Sequence, residues 1–279
     1  FSNEKAESSE LKQYSPNVKS AFHAMNWKVF YPVSVSMEQL KTAFLNAEGV
    51  TDLIAKIVDA IYTAANYDEF LLFKYLIIKS VTKGAFKPVA VDGSNMNNYA
   101  IAFRGKSNKL PFMSSEYNAA GVLNTTPKER QIIFMDADFN ATFDVSVLSA
   151  AFHMEKADFM GSLFLVDTFT TFDNDRFEVI RENSDGLEEV TADELALMGK
   201  VKALLVDEDW FQVYDNLAMF TEKFVANGLR WNYFYHTWKT ISSSPFANAV
   251  VFVDNTATIT APSALHYVVE SVGDGDNAV

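Results

Sequence analysis

The stretch Thr51-Asp52-Leu53-Ile54-Ala55-Lys56-Ile57-Val58-Asp59-Ala60-Ile61 opens a run that continues to Gly84, and its spacing decides the architecture. Ile54, Ile57, Val58, Ile61, Ala65, Leu72 and Leu76 recur at helical intervals. Thr51 offers a capping hydroxyl, and Asp52 a carboxylate for the positive end of the helix. Gly84 supplies a stop, with Lys79 and Lys83 in or near the last turns. The predicted helix, 52–83, has about 30 residues and makes a rod of roughly 45–50 Å at 1.5 Å per residue. That is about two to three times the usual globular helix, so the rod must lie across something broad. A two-stranded coiled coil is the alternative, but the apolar seam keeps no strict heptad. Lys56, Asp59, Asp68, Glu69, Lys74 and Lys79 argue against a membrane span.

Upstream of the rod, Phe22, Trp27, Val29, Tyr31, Val33 and Val35 lie in 18–35, and from Trp27 onward the alternation has period two, as in a strand. Ser36 with Gln39 forms a capping box, predicting a short helix to about Glu48 that Gly49 ends. Residues 1–15 are polar, with no apolar segment of the kind a signal peptide needs. The start at Phe1, without a Met, reads as an internal point in a longer gene product.

Downstream, 85–130 is loop-rich, with a turn at Gly93–Asn98, and Arg104, Lys106, Lys109, Lys128 and Arg130 make it the most basic part of the chain. These bases serve either a solvated face or contact with an acidic neighbour or DNA. Gln131–Met135 reads as a buried strand, and Asp144 as the cap of a helix through Val147, Leu148 and Phe152. The acidic stretch 173–200 reads as an inserted, solvent-facing excursion containing a Thr191/Glu194 capping box. Val201–Leu205 and Trp210–Tyr214 read as paired strands. In 229–241, Trp231, Tyr233, Tyr235 and Thr237 alternate with Asn232, Phe234, His236 and Trp238, so both faces are expected to be covered. Val250–Val253 reads as a last strand, and the segment after Pro262 as a tail.

The chemistry-bearing residue types are sparse. The chain has 279 residues, no Cys, 11 Gly, 24 Phe and a net charge of −13. Thiol chemistry and cysteine-held metals are excluded, and net acidity argues against a conventional DNA-binding domain. His23, His153, His236 and His266 form no metal-spaced pair, and His236 among aromatics reads as a packed histidine. Asp136-Ala137-Asp138 directly after an apolar strand is the one motif with an enzymatic reading, a metal-dependent hydrolase with a nucleophilic and an acid Asp. A helix-capping cluster explains the two carboxylates more simply. Trp210–Leu217 reads as core or subunit contact sooner than as a carbohydrate platform. No catalytic, cofactor-binding or metal residue is assigned.

Several short stretches, in order, carry a resemblance. They include Pro16-Asn17-Val18-Lys19, Leu40-Lys41-Thr42-Ala43-Phe44, Asp136-Ala137-Asp138, Phe152-His153-Met154 and Asp158-Phe159-Met160-Gly161. Further on come Leu205-Val206-Asp207, Trp210–Leu217, Trp231–His236 and Phe246-Ala247-Asn248-Ala249-Val250. Together they resemble the major capsid proteins of small podophages of the Picovirinae type. The resemblance implies an α+β Johnson fold, with the helix at 52–83 as spine, a mixed-sheet axial domain and an extended loop. It implies 1–36 as the return strand of that loop and its flank, 37–110 as the peripheral domain and 111–240 as the axial domain with 173–200 inserted. Residues 241–262 would return to the peripheral domain, and 263–279 would be a tail. The implied function is a non-enzymatic shell subunit, assembled in the host bacterial cytoplasm as pentamers and hexamers and located in the virion. Implied partners are copies of itself, scaffolding protein, the portal or connector, and dsDNA bound without sequence specificity, with no membrane. An encapsulin-like compartment shell shares the fold and is the other alternative. On this reading the strands around 210–217 and 229–241 hold the axial domain together, and Trp231→Ala is expected to prevent soluble, assembly-competent protein.

Overall fold

The helix read from the sequence is present as one unbroken element of 34 residues, Gly49–Thr82. The computed structural model describes residues 18–44, 49–144, 162–182, 184, 186–255 and 269–272. In chain order, β1 (Val18–Ala21) and β2 (Trp27–Ser36) lead to α1 (Met37–Ala43) and the long helix, α2. Then come β3 (Lys87–Val91), α3 (Met96–Lys109), β4 (Gln131–Asp136) and α4 (Ala137–Phe143). β5 (Ser162–Val166), α5 (Asn174–Glu182), α6 (Ala192–Met198) and β6 (Val201–Asp207) follow. The hairpin β7 (Phe211–Val225) and β8 (Arg230–Ser243), then β9 (Ala249–Asp254) and β10 (Val269–Val272), complete the series. β1 and β10 pair antiparallel and belong to a compact unit of their own; everything from His23 to Leu265 forms the other.

The start of α2 differs from expectation. Gly49 lies inside its first turn instead of ending α1, which closes at Phe44 after only seven residues, with the Ser36/Gln39 capping box in place. Thr51 therefore sits within the helix and does not cap it. At the other end Gly84, at φ 79°, is the glycine that the sequence demanded. The Ala85 amide donates to the Ser80 carbonyl at 2.8 Å and the Gly84 amide to Val81 at 3.1 Å, the paired bonds of a left-handed helix stop. From Leu71 to Val81 nearly every residue is buried, Ile78 and Val81 completely, so this half of α2 is enclosed on all sides.

What encloses it is a five-stranded mixed sheet in the order β3-β9-β6-β4-β5. β3 and β9 run parallel, as do β4 and β5, while β6 is antiparallel to both β4 and β9. Alternate residues feed two cores. Phe134, Leu204, Val206, Val251 and Val253 pack with α2, α5, α6 and Trp210. Ile133, Met135, Ala203, Leu205, Val250 and Phe252 pack on the other face with Tyr99 and Phe103 of α3 and Phe143 of α4. Coverage on both faces is why these strands read as continuous apolar runs. A second sheet, β2-β8-β7, lies beside α2.

Two expectations are corrected. The segment 173–200 is no solvent-facing excursion: Phe177, Ile180, Val190 and Met198 are buried in the core around α2, while its carboxylates stay outside. β6 and β7 do not pair; they lie in different sheets. β3 and β9 join β4, β5 and β6 in one sheet, and the hairpin β7–β8 pairs with β2 along the whole of that strand. Trp231 thus packs on Phe224 far along the hairpin, at 4.7 Å between rings, and contributes nothing to the five-stranded sheet. The helix expected from Asp144 lies in 145–161, outside the described residues.

Candidate assembly surface

The polar residues that break the apolar pattern of α2 each hold a different neighbour. Asp68, fully buried, accepts two bonds of 2.7 Å from the Nε and Nη2 of Arg176 on α5. Glu69 meets Lys239 of β8 at 2.7 Å, and Lys239 also reaches Asp215 of β7 at 3.1 Å. Lys74 reaches Asp167 at 3.0 Å, and Lys79 meets Glu194 of α6 at 2.8 Å. Burial pushes the Glu194 carboxyl up, but the Lys79 ammonium and the Thr191 amide and hydroxyl outweigh it, leaving the group below the usual range. The Tyr31 hydroxyl is driven far above its usual value by burial first and then by the Asp68 charge. Charge here fixes one rod against both sheet and helices.

The sheet β2-β8-β7 has two unlike faces, set by the period of two. Toward α2 point Trp27, Tyr31 and Val35, all buried, with Tyr235 and Phe220 in register beside Tyr31. Tyr62 of α2 closes onto Tyr235 at 5.5 Å and Phe220 at 6.2 Å. The Trp27 indole N–H donates to Thr237 Oγ1 at 3.0 Å. An apolar groove of about 180 Å³ remains between this face and the first turns of α2, lined by Val35, Leu53, Ile57, Phe220 and Tyr233 among others.

Among the described residues nothing buries the opposite face: each position in its five rows is exposed or half-buried. Its rows, strand by strand, are Lys28/Trp238/Leu217, Phe30/His236/Met219, Pro32/Phe234/Thr221, Ser34/Asn232/Lys223 and Ser36/Arg230/Val225. Phe30 is 52% exposed, Met219 47% and Trp238 39%. Phe30 touches Phe234 edge-on at 6.0 Å, and Lys28 lies 5.8 Å above Trp238. His236 is half-buried here, with Nε2 3.0 Å from Thr221 Oγ1. Both faces of β8 were expected to be covered; in the rows of this face no described position is buried. Aromatic residues on both sides of β8 were the sequence signal for it, whereas the contributions of Phe30 from β2 and of Leu217 and Met219 from β7 depended on a register that the sequence does not spell out.

The remaining candidates resolve into structure. Asp136 is the cap of α4, accepting from the amides of Asp138 at 3.0 Å and Phe139 at 3.1 Å, and Asp138 is exposed in the first turn. Among the described residues no group of three or more His, Asp or Glu could hold a metal. Arg130 of the basic stretch bonds Asp207 at 2.7 Å and also Glu208 and Asp209, so it clamps its own chain. Trp210 is 1% exposed between Phe86 and Phe211, core as read, whereas Val213 and Tyr214 are exposed. His153 and His266 lie outside the described residues. Among the described residues no helix is long and apolar enough to cross a membrane.

A long helix clamped by ion pairs, a doubly covered mixed sheet and a second, three-stranded sheet make up a fold shared with solved phage capsid chains. The chain from the capsid of Staphylococcus phage Andhra superposes with a TM-score of 0.62 at 10% identity, over 82% of this chain and 70% of that one. The chain belongs to the Phi29-like phage major capsid protein family, which matches residues 1–253. It is 37% identical over 260 residues to the major capsid protein of Bacillus phage GA-1, covering 90% of this chain and 49% of that protein. To that of Bacillus phage B103 it is 36% identical over 257 residues, covering 90% and 51%. The chain therefore spans about half the length of the curated relatives it matches. These relatives, and that of Bacillus phage PZA, are each named major capsid protein.

Proposed function

We propose that this chain is the repeating tile of a phage shell. Copies join as pentamers and hexamers through heterologous rotational contacts and close into an icosahedral capsid around dsDNA, which is held without sequence specificity. The five-stranded sheet with α3 and α4 serves as the axial part, and β2-β8-β7 with the first half of α2 as the peripheral part. The observation that supports the reading is the 34-residue rod, enclosed over its second half, beside a sheet whose outer rows have no buried position. A lone globule rarely keeps such a face; a tile that meets several copies of itself gains stability from many individually weak contacts. A net charge of −13 suits a wall that must not adhere to packed DNA. Scaffolding protein and the portal are the further partners of this scheme, assembly takes place in the bacterial cytoplasm, and the product is the virion shell. Negative-stain microscopy of the protein co-expressed with its scaffold tests it. Closed isometric particles are expected; a protein that stays monomeric with scaffold and at high concentration overturns it.

A further inference from the structure

The bare face of β2-β8-β7 is more than apolar. Lys28, Lys223 and Arg230 are exposed on it, and no carboxylate stands in any of its five rows. The chain as a whole holds 36 acidic and 23 basic residues, so this face inverts its overall charge balance. The opposite charge is concentrated elsewhere. Residues 173–200 hold nine carboxylates and three bases, and Asp175, Glu182, Glu189 and Asp193 are exposed. α5 and α6 are bound to α2 through Asp68–Arg176 and Lys79–Glu194, on the side of the sheet toward which Trp27 and Tyr31 point. The basic aromatic face looks the other way, so within one molecule the two surfaces cannot meet.

We infer that this face, with Phe30, Met219 and Trp238 as apolar centre and the three bases as rim, docks on the acidic α5–α6 surface of a second copy. The inference rests on the shell reading and sharpens it, naming one of the contacts between tiles. Such a contact is heterologous: each copy offers one surface and receives the other, which yields rings or open arrays instead of isolated pairs. The apolar centre supplies affinity on desolvation. The charges set register and on-rate, and they exclude a face-to-face dimer, in which the bases would oppose one another.

The test is charge reversal on the intact chain. Lys28→Glu with Lys223→Glu alters only exposed strand positions. Glu182→Lys with Glu189→Lys alters the end of α5, where a base suits the helix dipole, and a loop. Association is followed by sedimentation velocity at low salt, with thermal melting as the check on folding. Each pair alone is expected to weaken association by about tenfold or more while melting stays unchanged, and all four substitutions together are expected to restore it. Association at the wild-type level in either pair, or no recovery in the fourfold variant, overturns the pairing while leaving the shell reading intact. Wild-type chain that does not associate with or without scaffold overturns the shell reading itself.

Discussion

At Asp68 a carboxylate with no solvent access is tolerated because Arg176 presents Nε and Nη2 to it in a fork of two 2.7 Å bonds. Removing the fork leaves a buried charge without compensation, so Arg176→Met is expected to cost about 3–5 kcal/mol. Asp68→Asn combined with Arg176→Met should recover part of that loss, and denaturant titration of the two variants checks both statements. Glu194 makes the same kind of attachment at the far end of α2, and its depressed carboxyl gives it a pH signature. A group whose folded value lies below its ordinary one, near 4.5, stabilises fully above that value and loses its contribution as the pH falls through the folded value. Glu188, lowered chiefly by Lys83, acts in the same direction. Glu194→Gln should therefore melt below the wild type at pH 7, and the gap should narrow as the pH falls below the ordinary carboxylate value. A gap that is constant with pH would show that the charge on Glu194 adds nothing to its contact with Lys79.

Among the elements, Trp210 before the hairpin β7–β8 and Trp231 within it sit in environments that differ in kind. Trp210, just before β7, is 1% exposed between Phe86 at 4.9 Å and Phe211 at 4.5 Å, inside the core around α2. Trp231 is half-buried and touches Phe224 across the hairpin. Trp210→Ala is expected to cost about 3–5 kcal/mol, and Trp231→Ala about 1 kcal/mol from the lost ring pair and partial burial. Chemical denaturation distinguishes them, and equal losses would refute the assignment of core and periphery. The same contrast marks what the chain discloses unaided. α2 was legible because Ile57, Ile61, Leu72 and Leu76 keep a local period, and Gly84 a local conformational need. Its start was misread because Gly49, a plausible stop for α1, is absorbed into the first turn of α2. The acidic stretch was misread because nine carboxylates hide Phe177 and Ile180, three residues apart on one side of α5. The strand partners were not legible at all: Tyr31 meets Tyr235, and Val89 meets Phe252, through pairings that no local pattern records. The assembly surface inherits that limit, since its rows exist only once β2, β8 and β7 are in register.

Taken as a whole, the larger unit uses its five-stranded sheet as a shared wall. Each of β4, β6 and β9 contributes alternate residues to the core around α2 and to the core around α3 and α4. Loosening one core shifts the strands and so the opposite core, because packed interiors transmit displacement. The three-stranded sheet is tied to the same rod by Lys239–Glu69 and by Trp27, which reaches the first core. A chain of this size often unfolds in stages, yet this arrangement leaves no core that can empty alone. Ile78→Ala, in the first core, and Phe103→Ala, in the second, should therefore lower the midpoint of one common calorimetric transition. Two separated transitions, with each substitution moving only its own, would mean that the wall does not couple the cores. The rod would then be a hinge between independent parts, a poor basis for a tile that must hold its curvature against its neighbours.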